Sequence, residues 1–345
     1  VAEAPIRITL VRHGQSEANR VQRWQGQGDS PLSELGFEQA RRVGERLRGL
    51  RFDRVISSDL SRAKETARAT GHVFEELVEW REFDVGRWEG LTREEVEERF
   101  PEELSRLKSG EDIPLGGGER YSDFSARIDA ALSRLVRELA PGTDVLIVCH
   151  GGVISTLLAG QLGLRKRGRW PFARVSNTSI TELELNRERV ALRVYNDTAH
   201  LSDMSRWPLT EDVTGCVALV ADDAAVGLGE FSERYDARES GGHAHASLSR
   251  LSQAVLGPAG AVSGREAAEL VGATVLELAE AHAEERVALA LTAPFIHAFA
   301  TDALWLDGSS GVELSPPSPS ALCHVAPFNG RPLVLDYAVS PVRER

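Results

Sequence analysis

Through the first 200 residues the hydrophobic positions switch between short continuous runs and a spacing of three to four. Ile6–Val11 is a short apolar run that ends abruptly at Arg12-His13-Gly14. From Gly36 to Leu50, apolar or small residues recur at Phe37, Ala40, Val43, Leu47 and Leu50, which predicts a helix. Phe52–Ser57 reads as another strand, with a helix through Arg62 and Ala69 after it. Phe124, Ile128, Ala131, Leu132, Leu135, Val136 and Leu139 form the clearest amphipathic helix of the chain. Val145–Val148 is a buried strand, and Val153–Leu162 is the helix that follows it. Strands alternating with helices imply an α/β fold with a mostly parallel sheet covered on both faces. Ligands of such sheets sit beyond the carboxyl ends of the strands. His13, Ser57-Ser58 and His150 all fall just past a predicted strand end, so residues far apart in sequence converge on one crevice.

Two stretches, Val145–Leu164 and Val287–Leu306, are long enough to cross a bilayer. The first contains His150-Gly151-Gly152, and the second contains Pro294, His297 and Asp302, so each reads as a strand, a tight loop and a buried helix in series. Asp203–Gly215, with Trp207-Pro208, reads as a linker between a domain at 1–205 and a smaller α/β domain at 211–345. Beyond the linker the pattern returns. Val145–Val194 aligns without a gap on Val287–Asp336 at an offset of 142, the distance from Val145 to Val287. The identities are few, among them Ile154/Ile296, Leu162/Leu304 and Tyr195/Tyr337, so an internal repeat rests on pattern. The start of the second copy would be Val217–Val220, placed against Ile8–Val11.

Composition narrows the function. Acidic residues outnumber basic ones, 52 to 40, for a formal charge of -12, which argues against a nucleic-acid partner. The same field repels anions, so an anionic substrate needs a locally concentrated positive pocket. Three cysteines, Cys149, Cys216 and Cys323, form no paired spacing and fit a reducing, cytoplasmic setting without disulfides. The N-terminus has no basic start or long hydrophobic region, so no signal peptide is expected, although the chain begins at Val1.

The run Leu10-Val11-Arg12-His13-Gly14-Gln15-Ser16-Glu17-Ala18-Asn19 carries further elements behind it in order. They are Asp29-Ser30-Pro31-Leu32-Ser33, Ser57-Ser58-Asp59-Leu60-Ser61-Arg62-Ala63 and Arg81-Glu82 through Trp88-Glu89-Gly90. Val148-Cys149-His150-Gly151-Gly152 and Ser176-Asn177-Thr178-Ser179 complete the set. Together they resemble the histidine phosphatase superfamily, whose founding members are the cofactor-dependent phosphoglycerate mutases. The resemblance covers roughly residues 5–203. It implies the three-layer α/β/α fold of the phosphoglycerate mutases and a metal-independent reaction through a phosphohistidine on a small phosphorylated metabolite, with no cofactor.

The residues themselves support that chemistry. Neutral imidazole is a competent nucleophile near neutral pH. His13 attacks with one ring nitrogen only if the other keeps its proton, normally on a backbone carbonyl. Gly14 would let the chain turn sharply and the phosphate approach closely. A transferring phosphoryl group spreads charge over its oxygens, and the arginine fork suits it. Arg12 and Arg62 are the expected phosphate ligands. His150 is a third cationic or donating partner, Asn19 a neutral donor, and Gly151 a backbone N–H at a helix start. The resemblance makes Glu82 the general acid that protonates the leaving oxygen, with Glu89 as its rival. Cys149 invites a cysteine-phosphatase reading, but that loop needs an arginine six residues on, where Ser155 stands. The acid-phosphatase branch carries His-Asp where this chain has His150-Gly151.

No metal site is implied, and Gly241-Gly242-His243-Ala244-His245 reads as a loop. In the second half Arg12-His13-Gly14 is replaced by Ala221-Asp222-Asp223 and His150 by Thr292. Two aspartates there would repel phosphate, so residues 211–345 are expected to be non-catalytic: a packing copy, a regulatory module or a dimerisation surface. Three functions compete for the first half: a phosphatase, a phosphoglycerate mutase, and a phosphate-binding pseudoenzyme. Gly86-Arg87-Trp88-Glu89-Gly90 and the lack of the mutases' longer insertions favour the phosphatase. The sequence leaves the oligomeric state open.

Overall fold

The computed structural model describes residues 3–167, 172–186, 190–201, 216–221, 264–281, 286–291, 293–303, 312–314, 322–328, 331–334 and 337. The expected linker at 203–215, the His243–His245 loop, Asp222, Asp223 and Thr292 lie outside them. The chain divides into two compact units, Val1–Gly168 with Val175–Arg187, and Arg169–Arg174 with Glu188–Arg345.

The first unit holds strands β1 (Ile6–Arg12), β2 (Arg54–Ser57), β3 (Glu75–Glu76), β4 (Asp144–Cys149) and β5 (Ile180–Leu185) in the order β3-β2-β4-β1-β5. The pairs β3-β2, β2-β4 and β4-β1 are parallel, and only β5 runs antiparallel, against β1. This is the mostly parallel mixed sheet expected from the alternating pattern. Val145, Leu146, Ile147 and Val148 are wholly buried, as a central strand covered on both faces requires.

Helices α1 (Glu17–Arg20), α2 (Glu34–Leu47) and α3 (Ser61–Ala69) follow β1 and β2. Val43 and Leu47 of α2 with Ala63 and Ala67 of α3 pack on Val11, Val55, Leu146 and Val148. Ser33 caps α2 by accepting from the Gly36 N–H. Phe37, expected on the apolar stripe, is half exposed at 52%, because α2 buries Gly36, Ala40, Val43, Gly44 and Leu47 instead. Glycine is required at 44, where a Cβ would run into the carbonyl of Ala69. Between β3 and β4 come α4 (Arg93–Arg99), α5 (Pro101–Lys108) and α6 (Tyr121–Glu138). The inserted segment has a small core of its own around Trp88, Val96, Ile113 and Leu115. Helix α7 (Gly151–Gln161) leaves β4 directly and packs beside α6.

The second unit contains β6 (Val190–Asp197), β7 (Cys216–Ala221), helix α8 (Gly264–Ala281), β8 (Arg286–Leu291), helix α9 (Ala293–Ala303), β9 (Val312–Leu314), β10 (Leu322–Phe328) and β11 (Arg331–Val334). Four strands form a sheet in the order β11-β10-β7-β8. Here β7 is parallel to β8 and antiparallel to β10, as β1 is parallel to β4 and antiparallel to β5. The offset of 142 carries the first residues of β4, α7 and β5 (Asp144, Gly151 and Ile180) onto those of β8, α9 and β10 (Arg286, Ala293 and Leu322). The repeat read from pattern is therefore a repeat of topology. Both membrane-length runs are a strand followed by a helix, and no described helix is long and apolar enough to cross a membrane.

Helix propensity alone would make Gly44→Ala stabilising by about 1 kcal/mol. The Ala69 carbonyl reverses the sign, so Gly44→Ala is expected to lower the urea midpoint followed by tryptophan fluorescence. An unchanged or raised midpoint would show that α2 and α3 can separate without cost.

Candidate active site

Strand register assembles the site. Arg12 lies opposite Cys149 in the β1-β4 pair, and Ser57 opposite Val148 in the β2-β4 pair. One step further, the His13 N–H donates to the Cys149 carbonyl at 3.0 Å and the Ser58 N–H to the Val148 carbonyl at 2.9 Å. His13, His150 and Ser58 therefore leave three adjacent strands at one edge. The two imidazoles meet edge to face with ring centroids 5.1 Å apart. Both histidines are buried.

Each ring is held by one nitrogen. His13 Nδ1 lies 2.7 Å from the carbonyl oxygen of Gly14, which fixes the proton on Nδ1 and leaves Nε2 with its lone pair. His150 Nε2 lies 2.8 Å from Ser58 Oγ, while its buried Nδ1 has no hydrogen-bond partner among the described residues. Burial holds both histidines well below the ordinary imidazole range, with Arg62 adding to the effect in each. Of the two roles left open for His150, that of a neutral donor fits the free protein.

Arg62 sits in the first turn of α3, wholly buried. It donates from Nη1 to the Gly28 carbonyl at 2.9 Å and from Nη2 to the Gly26 carbonyl at 2.7 Å, and its buried Nε has no hydrogen-bond partner among the described residues. Burial pulls its pKa down to about 10, so it stays charged at neutral pH. Arg12 donates to the Val175 carbonyl at 2.6 Å and to Asn19 Oδ1 at 3.4 Å. Asn19 is thus an acceptor toward Arg12, with its Nδ2 turned to Gln25 Oε1 at 3.4 Å. Gly151 opens α7 and packs against Arg12, whose Nε lies 3.3 Å from where a Cβ would be.

Glu82 reaches the same helix start. Its Oε2 accepts from the Gly152 N–H at 2.9 Å and its Oε1 from the Phe83 N–H at 2.9 Å. Glu89 faces elsewhere. Its Oε2 accepts from the N–H groups of Gly26, at 2.9 Å, and Gly28, at 3.1 Å. Glu89 therefore shapes the loop whose carbonyls hold Arg62, and a Cβ at Gly28 would come within 2.5 Å of its Oε1. The rival acid of the sequence reading is a positioning residue for Arg62.

Several contributors were given no role by the sequence, or a different one. Arg127 on α6 donates to the carbonyls of Glu79 at 2.9 Å, Arg81 at 3.0 Å and Glu82 at 3.2 Å, and pairs with Glu119 at 2.9 Å. Its only hint is an arginine within the apolar spacing of Phe124 and Ile128. Asn177 donates to the His13 carbonyl at 3.0 Å. Next to it, Thr178 has φ of 55°, a conformation β-branched residues avoid, and its N–H reaches the Arg12 carbonyl at 3.0 Å. Gly14 is needed for another reason than the sharp turn expected. Its φ is ordinary, and a Cβ there would strike the backbone carbonyl of Gly36.

The profile of the histidine phosphatase superfamily (branch 1) matches residues 8–198. The Salmonella typhi protein named probable phosphoglycerate mutase GpmB is 38% identical over 164 residues, 46% of this chain and 76% of that one. Among solved structures, the alpha-ribazole phosphatase of Shigella flexneri is similar at a TM-score of 0.51 and 30% identity, over 55% of this chain and 96% of that one. The mycobacterial glucosyl-3-phosphoglycerate phosphatase, solved with VO3, gives a TM-score of 0.50 at 35% identity, over 56% of this chain and 99% of that one.

Both histidines have folded pKa values below the unfolded value of about 6.5. Below that pH the unfolded chain binds protons that the folded chain refuses, so this part of the stability is complete above about pH 6.5 and is lost as the pH falls below it. Urea midpoints should drop from pH 7.5 to pH 5.5, and less steeply in His150→Gln; an equal slope in both proteins would contradict neutral burial. Glu89→Ala leaves two N–H groups without their acceptor, at about 1–3 kcal/mol each. Competitive inhibition by vanadate should weaken about tenfold or more. Glu89→Gln, which keeps one acceptor oxygen, should recover most of it.

Proposed function

The chain belongs to the histidine phosphatase superfamily, branch 1, and from that premise we propose that it is a phosphomonoester hydrolase working through a phosphohistidine at His13. The observation that carries the reading is the bond from His13 Nδ1 to the Gly14 carbonyl, which leaves Nε2 unprotonated beside two arginines. Nε2 attacks phosphorus while the ester P–O bond breaks. Glu82 gives its proton to the leaving oxygen, which departs as an alcohol. The same carboxylate then takes a proton from water, whose oxygen attacks phosphorus, breaks the P–N bond and returns His13 neutral with free phosphate.

Arg12, Arg62, the open Nδ1 of His150 and the Gly151 N–H stabilise the equatorial oxygens, and Asn19 orients Arg12. Arg62 is suited to a dianion because its hydrogen-bond partners are two neutral carbonyls, so its charge is not already spent on a carboxylate. The substrate class is a small phosphomonoester, the kind of compound that the names of the Shigella and mycobacterial relatives indicate for those proteins. The mechanism needs no metal. Sparse cysteines without paired spacing, with Cys149 buried, support a cytoplasmic setting.

The second reading, a phosphoglycerate mutase, draws on the name of the Salmonella relative. A mutase would return the phosphoryl group to a second hydroxyl of a phosphoglycerate, and 2,3-bisphosphoglycerate would stimulate it. A hydrolase releases phosphate without that compound.

A screen of phosphate esters is expected to give phosphate release that persists in EDTA. Protein quenched in alkaline detergent should carry a phosphate that survives base and is lost in acid. His13→Ala should lower kcat by at least about 10³-fold and Glu82→Gln by about 10²–10⁴-fold. Full activity in His13→Ala, or loss of activity in EDTA, would overturn the mechanism.

A further inference from the structure

Within the second compact unit, three cross-pairings join residues 172–195 to residues 314–337. Phe172 pairs with Val334, and Leu192 with Leu314, both in parallel sense. Tyr195 pairs with Tyr337 in antiparallel sense. The internal repeat, at its offset of 142 positions, relates all three. Val334 is the counterpart of Leu192, and Leu314 is the counterpart of Phe172, so the first two pairs are one pair with the copies exchanged. Tyr337 is the counterpart of Tyr195, so the third pair maps onto itself.

The hydrogen bonds obey the same rule. The Tyr195 N–H donates to the Tyr337 carbonyl at 3.1 Å, and the Tyr337 N–H donates to the Tyr195 carbonyl at 3.1 Å. Phe172, Tyr195, Leu192, Val334 and Tyr337 are all buried. Residue i of one copy meeting residue j of the other, while j of the first meets i of the second, is the signature of a two-fold isologous contact. A self-paired residue marks its axis. Two unrelated βα segments with a chance resemblance would have no reason to pair this way.

We infer that this unit is a two-fold joint between the repeats, and that the second repeat occupies, within the same chain, the place that a second protomer would take on β6. An uncovered strand edge presents unpaired N–H and C=O groups and invites another chain to add to it. Here β9 lies on β6 from Val190 to Leu192, and Tyr337 closes the same strand at Tyr195. The partner of this edge is the chain's own residues 312–314 and 337. The chain is therefore a monomer whose degenerate copy is kept for its pairing surface, which explains why that copy retains strand topology without a counterpart of His13.

The test uses the full chain. Two double variants, Leu192→Cys with Leu314→Cys and Phe172→Cys with Val334→Cys, are oxidised at low concentration and read by non-reducing mass spectrometry, with each single variant as control. Both pairs should close within one chain, at monomer mass, while phosphate-ester hydrolysis stays at the level of the unsubstituted chain. Cross-links between chains, closure of only one of the two exchanged pairs, or closure of neither would overturn the joint. Light scattering of the unsubstituted chain across a hundredfold concentration range supplies a readout independent of the variants. A constant monomer mass is expected, and a dimer would overturn the inference.

Discussion

The parallel register of β4 between β1 and β2 is the constraint on which the rest of the first unit depends. Because Arg12 stands opposite Cys149 and Ser57 opposite Val148, the next residues on each strand emerge together at one edge. A slip of one residue would turn every side chain of a strand to the other face. It would bury His13 or His150 away from its partner and break the packing of Val11 and Val148 on α2 and α3 in the same step. Core packing and the geometry of the candidate site are thus specified by one set of backbone hydrogen bonds.

That edge carries an electrostatic cost which the surrounding backbone offsets. A buried arginine is tolerated when its donors are met. Arg62 meets two carbonyls, and these are held in place by Glu89 through the N–H groups of the same two glycines. A carboxylate bonded directly to Arg62 would neutralise the charge that a phosphate needs. Placing the acid behind a peptide loop keeps the guanidinium ordered and its field available. The same field, together with burial, keeps His13 and His150 neutral. Arg127 plays the matching part for Glu82 by gripping the carbonyls of residues 79, 81 and 82.

The second unit repeats part of the strand pairing of the first. Its β7, β8 and β10 reproduce the pairings of β1, β4 and β5, because burying apolar strands and a helix needs only the pattern.

The sequence by itself determined the alternation of strands and helices through β1, α2, β2, α3, α6, β4 and α7, and with it the mostly parallel sheet, since these follow from the spacing of apolar residues. It also singled out His13 and His150, which fall just past predicted strand ends, and Arg12, Arg62 and Glu82, which lie in motifs that resemble the family's. Tertiary structure alone decided how they are used. Which nitrogen of His13 is free depends on the Gly14 carbonyl, and whether Glu89 or Glu82 faces α7 depends on where the loop at residues 24–29 lies. That Phe37 is exposed while Gly44 is buried depends on the close approach of α3 to α2. Ser58, Arg127 and Asn177 act through contacts 45–164 positions away in sequence, and no local pattern records a partner at that distance. Periodicity records what each residue must avoid or bury; what it touches is fixed only when the strands come into register.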